Sequence, residues 1–203
     1  MKFGIIIAME EEAQPLINKL KLRKEENLYF KLYKNEDIFL IISGIGLSAS
    51  ELAAGYLAFV LECDVLYNIG TCGTTGNMFN HNEIVSIDKV YKRDFNLVPA
   101  GYMQFEVPNV GQYIQLPSNN NFRIASCYSS DEFITKKSIV PDNVLVEMEA
   151  YSIAYVAFIK KIPCYIYKIV SDFTKDNVND NSHKNNVDAS SVKLADIIYK
   201  FIK

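Results

Sequence analysis

Three acidic segments carry the residue types that acid–base chemistry requires. The first, Glu10-Glu11-Glu12, follows the apolar run from Phe3 to Ala8 and opens a helix. Carboxylates in a first helical turn are favoured by the helix dipole, which accounts for one or two of them. A pocket-facing base is the other reading, and the local sequence does not choose among the three. The second, Val146-Glu147-Met148-Glu149-Ala150, lies at a strand-to-helix junction. Of Glu147 and Glu149, one is expected to face a ligand and the other solvent or a partner. A carboxylate accepts from two vicinal hydroxyls at once; a helix-start charge is the alternative. The third, Val170-Ser171-Asp172, ends the most apolar strand of the chain. Buried surroundings disfavour an ionised Asp172 and raise its pKa, and a neutral carboxyl can serve as a general acid.

Two glycine-containing turns, Ser43-Gly44-Ile45-Gly46 and Gly70-Thr71-Cys72-Gly73-Thr74-Thr75-Gly76, permit close backbone approach to a ligand. Neither has the spacing of a dinucleotide or nucleotide phosphate loop.

The elements that must position these residues alternate between strand and helix. Strands are expected at 2–8, 28–33, 38–43, 65–69, 84–90, 122–128, 144–146 and 164–170, with a hairpin turned at Asn35-Glu36-Asp37. Helices are expected at 11–21, where Ala13, Leu16, Ile17 and Leu20 share a side, and at 47–62, 149–161 and 187–202. The pattern predicts one α/β domain over 1–203 with a largely parallel sheet covered on both faces, and ligands in such sheets bind beyond the carboxyl ends of the strands. The Asn- and Asp-rich stretch 176–186 reads as a solvated loop or a lid over the ligand.

Composition narrows the function. The chain has 203 residues, a net charge of -3 and only three arginines, Arg23, Arg93 and Arg123. This balance gives no electrostatic footprint for nucleic acid or an anionic membrane, and no stretch reaches the ~18 apolar residues of a membrane span. The acidic run after Ala8 does not fit a signal peptide, so the cytoplasm is expected. Cys63, Cys72, Cys127 and Cys164 form no C-x-x-C pair and no zinc-spaced cluster, and they read as buried thiols. His81 sits in a turn and His183 in the Asn-rich stretch. No metal or organic cofactor is implied.

Taken together and in this order, the segments Gly4-Ile5-Ile6, Ala8-Met9-Glu10-Glu11-Glu12, Ser43-Gly44-Ile45-Gly46, Asn68-Ile69-Gly70-Thr71-Cys72-Gly73, Ser129-Ser130-Asp131-Glu132-Phe133-Ile134, Val146-Glu147-Met148-Glu149-Ala150 and Ser171-Asp172 resemble the nucleoside phosphorylase/hydrolase family. The resemblance runs over nearly the whole chain. It implies a three-layer sandwich with a central mixed, largely parallel twisted sheet flanked by helices, a homodimer, and a small-molecule adenine nucleoside as substrate. It implies that Glu12 activates water and that Asp172 protonates N7 of adenine. Glu149 and the Met148 backbone would hold the ribose 2′- and 3′-hydroxyls. Phe133 would stack on adenine and the Ile134 backbone would read its edge. Met9 and Ile45 would line the pocket for the 5′-substituent, and Thr71 would stand near the water. Cys72, Gly73, Glu147, Lys168 and Ser171 complete the expected binding site.

Within this family the residues favour hydrolysis over phosphorolysis, because a phosphate beside the acidic Met9–Glu12 turn is repelled and the arginines are scattered. The expected substrates are 5′-methylthioadenosine, S-adenosylhomocysteine or a related 6-aminopurine nucleoside such as 6-amino-6-deoxyfutalosine. A phosphorylase of the same fold and an idle nucleoside-binding module are the competing readings. The chain departs from the family at Lys168, where an arginine is usual, and lysine loses the bidentate fork that would steady Glu12 or the water. It also departs at Ala100, usually aromatic, and in 108–121, too short for the family's helix. Tyr151, Tyr155 and Phe158 fall on one helix as core or as interface.

Overall fold

The computed structural model describes residues 1–27, 29–134, 140–173, 191–196 and 198–200, with the backbone alone for 172 and 173. The 176–186 stretch, with His183, lies outside the described residues, as does Leu28.

The isoleucine run of β1 (Phe3–Ile7) is buried on both faces and alternates between them. Ile5 and Ile7 pack with Ala13, Leu16, Ile17 and Leu20 of α1 (Glu10–Leu20), while Ile6 packs toward Ala53 and Ala54 of α2 (Leu47–Gly55). Period-two side-chain alternation thus places one helix on each side of the same strand. β1 pairs in parallel with β4 (Ile38–Ile42) and β5 (Val65–Thr74). On one side the sheet continues through β3 (Lys31–Lys34) to β2 (Arg23–Glu25), a charged edge strand missed by the alternation test. The β3–β4 hairpin turns where expected: the Ile38 N–H donates to Asn35 Oδ1 at 3.0 Å.

On the other side the strands close. β5 pairs with β10 (Cys164–Phe173), β10 with β6 (Ile84–Lys92), β6 with β8 (Arg123–Ser129), β8 with β9 (Leu145–Glu147), and β9 returns to β5. The short β7 (Ile114–Gln115) adds to β6, and residues 108–121 hold no helix. The protein therefore has an α/β fold with a mixed sheet and helices, as expected. The expected largely parallel three-layer sandwich is corrected in its finer detail. Parallel and antiparallel pairings are evenly divided among the described strands, and part of the sheet is a closed, barrel-like ring. Bulges at Ile87/Lys89 and Val170/Asp172 supply bends of the kind that closure needs.

Two strands outrun their expected ends. β5 continues through Gly70-Thr71-Cys72-Gly73, read above as a turn, because β10 and β9 complete its hydrogen bonds. β10 continues through Ser171 to Phe173, so Asp172 lies within a strand, opposite Gly73. The expected 47–62 helix begins as α2 and widens into a π turn at Tyr56–Val60. α3 (Ala150–Lys160) packs on α2, and residues 191–196 and 198–200 are helical against the α1 face. Tyr151 of α3 is core, whereas Phe158 is exposed. All four cysteines are buried and unbridged, and His81 is exposed in a turn.

Candidate active site

The C-terminal ends of β1, β4 and β5 meet those of β8 and β9 around an open cleft. Its walls include Met9, Glu12, Ile45, Thr71, Cys72, Gly73, Phe133, Ile134, Glu147, Met148, Glu149 and Lys168. The fold thus gathers twelve of the fourteen sequence-selected residues. Ser171 is not on the wall; its hydroxyl donates to the Cys72 carbonyl at 3.3 Å, behind it. Asp172 is placed by its backbone opposite Gly73, itself a wall residue. The sequence reading did not select Ala8, Ile69, Gly70, Glu132 and Val146 as site residues. All five stand inside the quoted motif segments, which was the available signal.

Of the three glutamates that open α1, Glu12 turns inward and is 6% exposed, while Glu10 pairs with Lys31 at the surface. Both the N–H and the hydroxyl of Thr71 donate to Glu12 Oε1 at 2.8 Å. Gly70 makes room for the carboxylate: a Cβ there would lie 3.3 Å from one oxygen and 3.4 Å from the other.

Across the cleft the Glu147/Glu149 expectation is corrected, because neither faces solvent or a partner chain. Both are buried on the ammonium of Lys168, which is 1% exposed. Lys168 Nζ is 2.8 Å from Glu147 and 3.7 Å from Glu149. Glu147 also accepts from the Ser129 hydroxyl and from the N–H groups of Glu149 and Ala150, so it caps α3. Among the described residues the lysine therefore pairs with Glu147 and Glu149 and not with Glu12. Burial opposes the lysine's charge, but the two carboxylates outweigh it and the pKa rises. Burial likewise works to raise the Glu147 pKa, but Lys168, Ser129 and the Ala150 N–H outweigh it and hold it low.

Glu149 is the member left short of compensation. Burial pushes its pKa up to about 7, against the pull of Lys168 and aided by Glu147 and Glu12. Its Oε1 accepts from the Gly46 N–H at 3.1 Å, tying it to the turn that carries Ile45. Ile45 and Phe133 keep 58% and 49% of their surface exposed at the cleft, an apolar lining for a ligand. Glu147 and Glu149 thus share one ammonium, while Glu12 stands on the same walls held by Thr71. An arrangement of this sign stabilises a developing cation and repels a free anion.

The fold and this cleft define a nucleoside phosphorylase-like protein. The chain belongs to the phosphorylase superfamily, whose family profile matches residues 2–119 and 126–203. It is 26% identical to the 5′-methylthioadenosine/S-adenosylhomocysteine nucleosidase of Buchnera aphidicola subsp. Schizaphis graminum, over 100% of this chain and 97% of that one. It is 28% identical to the Staphylococcus carnosus enzyme of the same name, over 87% and 88%. Among solved structures, the S. pneumoniae nucleosidase of that name, bound to a transition-state inhibitor, superposes with a TM-score of 0.88 at 23% identity, covering 100% and 99% of the two chains. The futalosine hydrolase of Helicobacter pylori superposes at 0.91 with 20% identity, covering 100% and 97%. Among the described residues no helix is long and apolar enough to cross a membrane.

Proposed function

We propose that the protein is a purine nucleosidase that hydrolyses the N-glycosidic bond of 5′-methylthioadenosine, S-adenosylhomocysteine or a related 5′-substituted adenosine. The observation that carries this reading is the placement of Glu12. It is a buried carboxylate held by two Thr71 donors, on the same cleft as Glu149 and in surroundings too acidic to welcome phosphate. The relatives named above act, by name, on these nucleosides.

In this mechanism Glu149 accepts from the ribose 2′- and 3′-hydroxyls. Phe133 stacks on the base, and Met9 and Ile45 flank the 5′-group. Asp172 donates a proton to N7, and the C1′–N9 bond breaks with its electron pair on adenine. The ribosyl cation is stabilised by the nearby carboxylates. Glu12 takes a proton from water as its oxygen bonds to C1′. The products are adenine and the 5′-substituted ribose, and no metal or organic cofactor enters. The role of Asp172 and the homodimer rest on the resemblance, and the cytoplasmic setting and the assignment of 1–203 to one domain rest on the composition and pattern of the sequence.

Adenine release from 5′-methylthioadenosine, with and without phosphate, tests the reading. Equal rates are expected. Strict phosphate dependence would make the protein a phosphorylase, and nucleoside binding without adenine release would make it a binding module. Rates across a series of 5′-substituents then identify the preferred nucleoside.

A further inference from the structure

Arg93, one of three arginines in the chain and 7% exposed, directly follows β6. Its hydrogen bonds run to the end of β8 and the segment after it. Its N–H donates to the Ser129 carbonyl at 2.9 Å, its Nε–H to the Ser130 hydroxyl at 2.8 Å, and one terminal nitrogen to Glu132 Oε2 at 2.6 Å. The next residue continues the grip, since Asp94 Oδ2 accepts from the Asp131 N–H at 3.3 Å. Four consecutive residues, 129–132, are thus held from the end of one strand. Phe133 and Ile134 follow immediately on the cleft wall.

The Glu132 end of the ion pair is 74% exposed. With the Glu132 end in water the pair is screened by solvent. What the pair does control is the direction of the chain entering the base site. An arginine fork fixes both distance and plane, which a lysine does not.

We propose that Arg93 is a positioning residue for base recognition: through Ser130 and Glu132 it sets the segment from which Phe133 and Ile134 meet the purine. This rests on the nucleosidase reading for the identity of the base. It adds a specificity-determining residue on a different strand, contacting no part of the substrate itself.

The test is adenine binding by calorimetry, together with kcat and KM for 5′-methylthioadenosine, in the wild type, Arg93→Lys, Glu132→Gln and the double variant. Glu132→Gln is expected to weaken adenine about fivefold, the equivalent of roughly 1 kcal/mol. Arg93→Lys is expected to weaken it about tenfold, with KM rising more than kcat falls. The double variant should be no worse than Arg93→Lys, because both changes break one link. Losses confined to melting temperature, with adenine affinity and KM intact in Glu132→Gln and Arg93→Lys, overturn the proposal. Equal losses in kcat and kcat/KM with adenine affinity intact overturn it as well. A wild type that binds no adenine fails the nucleosidase reading instead, so the two failures are distinguishable.

Discussion

Glu12 depends on what is missing beside it as much as on its two donors. Gly70 leaves the carboxylate its place, and a methyl group there would press on both oxygens. Gly70→Ala is therefore expected to lower kcat on the order of ten- to hundredfold, the usual cost of a sub-ångström misplacement of a reacting group. KM should change little, and steady-state kinetics measures both. Glu149 makes the opposite demand on pH. Its folded pKa of about 7 stands above the ordinary carboxylate value of about 4.5. The stability its proton contributes is fully present below about 4.5 and is lost as pH rises through about 7. The ionised form is the better diol acceptor, so KM for the nucleoside should fall over the same rise. Melting temperature against pH for the wild type and Glu149→Gln checks the first trend, because the variant should lose that slope. KM against pH checks the second. The places of Glu12, Glu149 and Phe133 on one cleft were legible in the sequence through the ordered motifs. The seat of Lys168 was not. Nothing in sequence spacing says that a lysine twenty-one residues from Glu147 will close on it at 2.8 Å in the core.

At the scale of elements, the Gly44–Gly46 turn does two jobs. Gly46 precedes α2 with φ +108°, a conformation open to glycine and strained for other residues. Its N–H holds Glu149 while Asp131 Oδ1 accepts from the following Leu47 N–H at 2.7 Å. A Cβ on Gly46 would sit 2.9 Å from that Asp131 oxygen. Gly46→Ala should cost about 1–3 kcal/mol of stability by urea unfolding and raise KM, because the turn links Glu149, Ile45 and the base-side loop. Sequence reading found this turn, and it found the strands built on Ile and Val runs. It misjudged β5 and β10, whose last residues are Gly, Thr, Ser and Asp. Those types read as turns, and only long-range pairing between the two strands keeps them extended. β2 was missed for a related reason: Arg23-Lys24-Glu25 has no apolar face and is a strand only because β3 offers it an edge.

For the molecule as a whole, closure brings the two halves of the site together. β9 reaches β5 through two residue pairs, Gly73↔Val146 and Thr74↔Leu145, and thereby sets Glu147 and Glu149 across the cleft from Glu12. No local pattern announces that contact, since it joins residues seventy positions apart. Alternation of strand and helix was enough to forecast an α/β sheet, but not that it bends into a ring. In the proposed reaction the acidic walls, with Glu12 opposite the Glu147–Lys168–Glu149 cluster, favour water over phosphate as the nucleophile. The most direct measurement is the turnover of 5′-methylthioadenosine in heavy-oxygen water containing phosphate, with mass analysis of the sugar product. The account predicts 5′-methylthioribose carrying solvent oxygen and free adenine in equal amounts. A sugar 1-phosphate without solvent label at the bridging oxygen would contradict it.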